Sequence, residues 1–176
     1  MTTMRMYAIV VFHSTKELKM PNHCYQIVDI KGDFDLVTEL YMGLTEQDRF
    51  CDIVFPMPFK NWSGDRWHKW RVKNWGTKWD LCQVEIIETD GIKERHLPHK
   101  RSVGFSFKCW TAWSPPTPVW EKLTEMDICV TAYYLDEGGF FCGIYEDGEI
   151  TEDQSLDGEL GQIVIKNIGY EMEEAS

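Results

Sequence analysis

Asn74-Trp75-Gly76-Thr77-Lys78-Trp79-Asp80 and Thr111-Ala112-Trp113-Ser114-Pro115-Pro116 are the two stretches on which the fold turns, because each separates a run of helical period from a run of strand period. Upstream of the first, Trp67, Trp70 and Arg71 share one side of a short helix that ends near Asn74, with Gly76 as its stop. Downstream, Cys82, Val84 and Ile86 alternate with Gln83 and Glu85, the pattern of a half-buried strand. The second stretch reverses the order. Val103, Phe105, Phe107 and Cys109 alternate with small or polar residues, and Pro115-Pro116 then open a helix with Val119, Trp120 and Leu123 on its inner side. Both tryptophan blocks are therefore expected at corners.

Working outward, Tyr25 to Ile30 reads as a strand, and Phe34, Val37, Leu40, Tyr41 and Leu44 recur at helical steps behind an N-cap at Asp33. Residues 51–61, with Pro56-Met57-Pro58, read as a loop or edge segment. Ile128 to Leu135 and Phe140 to Tyr145 form a strand pair around a turn at Asp136-Glu137-Gly138-Gly139. A further strand is expected from Arg5 to Phe12 and a last one from Gln162 to Ile168, the latter after an acidic loop over 146–159. The order predicts one α+β domain over 1–176: an antiparallel sheet with helices packed on one face, plus additional terminal strands. Residues 160–176 form the terminal strand and tail.

The chain has 176 residues, 43% hydrophobic and 27% charged, which suits a single domain with an ordinary core. Near the N-terminus the longest apolar run, Tyr7 to Phe12, is too short to span a membrane or serve as a secretory signal, so a cytoplasmic protein without membrane contact is expected. Six scattered cysteines without a Cys-x-x-Cys pair read as free core thiols. Zinc at His23-Cys24 is a second reading that lacks the usual ligand spacing, and neither metal nor cofactor is expected.

Charge is unevenly placed. From Asp136 to Ser176 there are twelve acids and one base, Lys166, which accounts for the whole net charge of −11. Lys60 to Lys108 holds eleven bases and six acids, and all eight tryptophans lie between Trp62 and Trp120. The result is a basic, Trp-rich middle and an acidic end.

Five blocks are similar to the YubB-like ferredoxin-like domain family, whose members occur in phages, plasmids and genomic islands and have no known function. They are Met20-Pro21-Asn22-His23-Cys24, Ile53 to Pro58, Asn74 to Asp80, Phe105 to Pro116 and Tyr134 to Gly143. The resemblance covers about 20–145 and leaves both ends without a matching motif. It implies a ferredoxin-like fold and a mobile-element origin, and no chemistry.

Phosphate-binding loops, a His-Glu-x-x-His pair and a nucleophile elbow are all missing from the sequence, and its five histidines are dispersed. The first functional reading is a non-enzymatic phage or mobile-element accessory protein that binds a host protein, as inhibitor or trigger of a defence or housekeeping factor. That partner has a basic surface and meets Asp136, Glu137, Glu146, Asp147, Glu149, Glu152 and Asp153. A second reading is a single-stranded nucleic-acid binder using Trp67, Lys69, Trp70, Arg71 and Lys73, in which rings stack on bases and cations follow phosphates. Its difficulty is the acidic third, which repels phosphates unless it lies on the far side. The third is a small-ligand or enzymatic site at Trp75, Lys78, Asp80 and Trp113, with Lys78 and Asp80 as an ion pair. The simpler account of those residues is a helix–strand corner, with Ser114 capping the next helix and Trp113 packed beneath it.

Overall fold

A computed structural model describes residues 23–58, 65–92 and 102–169. The elements follow in the order β1 (His23–Gly32), α1 (Phe34–Glu46), α2 (Cys51–Val54), α3 (Arg66–Trp75), β2 (Cys82–Asp90), β3 (Val103–Ala112), α4 (Thr117–Thr124), β4 (Cys129–Asp136), β5 (Cys142–Glu146), β6 (Glu149–Asp153) and α5 (Glu159–Ile168). The strands form one sheet in the order β2-β3-β1-β4-β5-β6, every neighbouring pair antiparallel. Its first four strands have the split arrangement of a ferredoxin-like fold. The β5–β6 hairpin widens the sheet beyond β4.

Alternation decides which side each strand residue faces. Cys24, Val28 and Ile30 of β1, Phe105, Phe107 and Cys109 of β3, and Val130 and Ala132 of β4 are buried on the face that α1 to α4 cover. Val37, Leu40 and Leu44 of α1 and Val119, Trp120 and Leu123 of α4 complete that core, with Phe50 wedged 5.8 Å from Phe107 and 5.7 Å from Trp120. The expected cap holds: the Asp33 carboxylate accepts the N–H groups of Asp35 and Leu36.

Three expectations change. Residues 51–54 are a one-turn helix rather than loop or edge, held by a distant carboxylate described below. Within the presumed acidic loop, residues 149–153 are a strand, because Asp147 (φ 44°) and Gly148 (φ 101°) turn the chain back in the two-residue hairpin that this dipeptide favours. The expected strand Gln162–Ile168 is part of helix α5, which ends at Gly169. Its β-branched run suggested a strand. The buried residues Val164 and Ile168, with Leu160 packed beside them, instead recur every fourth position and lie on Leu135 and Cys142, on the face opposite α1 to α4. The predicted strand Arg5–Phe12 lies outside the described residues. No helix among the described residues is long and apolar enough to cross a membrane.

On that opposite face a polar row crosses the sheet through Glu88, Ser106, Asp29 and Thr131. It borders a shallow cavity of about 300 Å³. Burial, and then the charge of Glu88, push the Asp29 carboxyl above its ordinary range. The folded state therefore holds this proton more tightly than the unfolded chain, so stability falls as pH rises through the carboxylate range. Asp29→Asn is expected to raise the Tm at neutral pH and to leave it unchanged well below pH 4, checked by calorimetry across pH.

Candidate aromatic and cationic surface

Helix α3 places Trp67, Arg71 and Trp75 at four-residue steps, so the three side chains stack along one face. The Arg71 guanidinium lies 5.3 Å from the Trp67 ring centre and 4.6 Å from that of Trp75. Trp75 is fully buried and donates its indole N–H to the Phe55 carbonyl at 2.8 Å. Trp70 lies 5.9 Å from Phe55 and 5.9 Å from Trp75 and packs against the core. Arg66, Lys69 and Lys73 stand exposed along the outer side.

α3 stops at Gly76, whose φ of 77° is natural only for glycine, and a Cβ there would also meet the Pro118 ring at 2.9 Å. The corner that follows is locked to the end of β3. The buried Thr77 hydroxyl donates to the Ala112 carbonyl at 2.9 Å and accepts the Ala112 N–H at 3.1 Å. Ser114 donates to the Gly76 carbonyl and accepts no N–H from the first turn of α4, so it is not the expected helix cap. Thr111 donates to the Ser114 carbonyl at 2.8 Å and accepts from the buried Gln26 amide at 2.8 Å.

Asp80 is the residue whose role the sequence concealed. One carboxylate oxygen accepts the N–H groups of Phe50 (3.1 Å), Cys51 (2.8 Å) and Leu81 (2.8 Å), and the other accepts that of Asp52 (3.2 Å). It caps α2 from 28 to 30 residues away. Such backbone donors hold a carboxylate firmly, so the expected ion pair with Lys78 gives way to a structural cap. Lys78 extends instead between two indoles, 5.6 Å from the Trp79 ring centre and 5.4 Å from that of Trp113.

The two candidate clusters, distant in sequence, join into one ladder. Trp67 lies 5.7 Å from His68, His68 lies 5.4 Å edge-on to Trp113, and Trp113 borders Lys78 and so Trp79. Trp113 is 41% exposed rather than packed beneath a helix. His68 Nε2 lacks a hydrogen-bond partner among the described residues. Trp75, Trp70 and Asp80 serve the fold; Trp67, His68, Lys78, Trp79 and Trp113, beside Lys69 and Lys73, make the surface. His68 was missed because its contact with Trp113 crosses between elements.

The acidic candidates separate in the same way. Asp136 is buried and closes its turn by accepting the N–H groups of Gly138 and Phe140, so it is not available to a partner. Glu137 holds the backbone N–H of His23 at 3.0 Å and its ring Nδ1 at 3.1 Å, and Asp147 accepts the Val130 N–H at 2.8 Å. Glu152 accepts the Tyr134 hydroxyl, and Asp153 the N–H of Ser155. Glu146, Asp147, Glu149 and Glu152 remain exposed along the outer hairpin. Charges of this kind also guard an edge strand against pairing with other chains.

His23 and Cys24 cannot share a metal, because adjacent strand residues face opposite sides of the sheet. Burial and then Asp136 push the Cys24 thiol up, and burial does the same for Cys51 and Cys109, so these cysteines are inert core groups. Cys129 is exposed. Among the described residues, no three His, Cys, Asp or Glu side chains converge as a metal requires.

No curated protein and no solved structure matches the chain. Residues 96–175, which take in β3 to α5 and thus the C-terminal segment that the motif blocks leave out, match the model of a family described as the ferredoxin-like domain in Api92-like protein.

Proposed function

We propose that this is a non-enzymatic accessory protein of a mobile element, of the YubB-like kind its motif blocks resemble. It works in the host cytoplasm by binding single-stranded nucleic acid on the face made by α3, the 76–80 corner and Trp113. One observation carries the reading: aromatic rings and cations from separate parts of the chain meet in a continuous ladder, while the exposed acids of β5–β6 stand at the other edge of the sheet. Five strand spacings separate β2 from β6, about 24 Å at about 4.8 Å each. That exceeds the Debye length of about 8 Å at physiological salt, so the acidic edge is largely screened from a phosphate chain on the basic face.

Titration with short single-stranded oligonucleotides is expected to quench tryptophan fluorescence. Arg66, Lys69, Lys73 and Lys78 offer at most four phosphate contacts, so log K should fall by about 2 to 3 per tenfold rise in salt. An absence of quenching at low salt would exclude the reading.

A second reading, a host protein with a basic surface docking on β6, is favoured by the exposed carboxylates there and by Ile150, which is 48% exposed among them. Capture of one specific host protein, lost in a Glu149→Lys/Glu152→Lys double variant, would support it. Capture unchanged by those substitutions would sink it.

A further inference from the structure

We infer that Trp113 is the stacking residue of a nucleotide subsite, held out from the fold with Lys78 beside it to receive the phosphate. The inference rests on the nucleic-acid reading above and narrows it to one position.

The backbone makes the argument. Trp113 has φ +74°, a left-handed conformation in which a bulky side chain is an outlier. Such conformations persist only where the surroundings over-determine them. Here they do: Ala112 on one side is held twice by Thr77, and Ser114 on the other is held by Thr111 and by the Gly76 carbonyl. Thr111 is fixed in turn by the buried Gln26.

A glycine would turn the chain here without strain, so the turn itself does not require an indole. Nor does the core, since Trp113 leaves 41% of its surface in solvent. What the conformation accomplishes is the display of an aromatic ring next to a cation, with the Lys78 Nζ 5.4 Å from the ring centre. His68 supports the ring edge-on at 5.4 Å. A stacked base with an adjoining anion is the ligand chemistry that uses both groups, because every base offers a π-face and its phosphate a negative charge.

The test compares Trp113→Ala, Trp113→Gly and Trp113→Phe with the wild type, by thermal melting and by titration with an oligothymidylate of about ten nucleotides, within the usual range of single-strand site sizes. The glycine variant is expected to melt about 2–4 °C above the alanine variant, since only alanine retains the left-handed penalty. Both should lose at least about fivefold in affinity, and to the same extent, while phenylalanine keeps most of it. Equal loss at unequal stability assigns the effect to the missing ring.

If the wild type binds and the alanine and glycine variants bind as well as it does, Trp113 is not the subsite. If affinity follows melting temperature across the series, or alanine melts above glycine, the residue is structural and the inference falls. Should the alanine variant not fold, glycine against phenylalanine decides. A wild type that fails to bind oligothymidylate overturns the nucleic-acid reading itself, and the nucleotide assignment with it.

Discussion

Asp80→Ala is expected to lower the Tm by about 10 °C. Its carboxylate is the shared acceptor of four backbone N–H groups, those of Phe50, Cys51, Asp52 and Leu81. Bonds to a charged acceptor contribute about 1.5–3 kcal/mol each, and part of each is recovered from water when the acceptor is removed, so a total of about 3–5 kcal/mol is expected. At about 2–4 °C per kcal/mol for a domain of this size, calorimetry should register the loss easily. Asn at this position keeps one acceptor oxygen and should fall between the two. α2 carries Cys51 and Val54 into the core and follows Phe50, so its release would also loosen the Phe50–Phe107–Trp120 contacts. A Tm within about 2 °C of wild type would show that the carboxylate does not hold α2. It would return Asp80 to the list of groups available for a ligand.

Trp75→Ala should be as severe, at about 3–5 kcal/mol, the usual range for removing a buried aromatic residue. The ring is fully buried, and its loss leaves the Phe55 carbonyl without its donor and Arg71 with one stacking partner in place of two. Trp67→Ala, on the same helix, is expected to change stability by about 1 kcal/mol or less, because its ring is only half-buried. Chemical denaturation of both variants distinguishes the roles: equal losses would contradict the assignment of Trp75 to the core and of Trp67 to the surface.

Much of this arrangement was written locally. The N-cap at Asp33, the alternation in β1, β3 and β4, and the stop at Gly76 depend on a residue and its near neighbours, and each is found where the pattern put it. Where two local signals conflicted, the reading failed. In α5 a β-branched run concealed a four-residue stripe, and the stripe prevailed because it meets the apolar side of β4 and β5. The Asp147-Gly148 turn is equally local, but the acidic residues around it mask the hairpin signal.

Roles that depend on distant partners were not legible at all. Asp80 looked like half of an ion pair with Lys78, since two positions on an extended segment face the same way. Its true partners lie about thirty residues earlier in the chain. Trp75 and Trp113 read alike as candidates for a small-ligand site, yet one is sealed in the core and the other stands exposed in a left-handed turn. By itself the sequence determined the order of elements from β1 to β5 apart from the short α2, the corners at the tryptophan blocks and the division of charge between the middle and the end, because periodicity, turn chemistry and composition are local properties. Only the tertiary structure decided which tryptophans build the core and which face solvent, that the two clusters are one surface, and that the acids lie across the sheet from it. Those depend on which distant strands and helices come to share a face, and no short window of sequence records that.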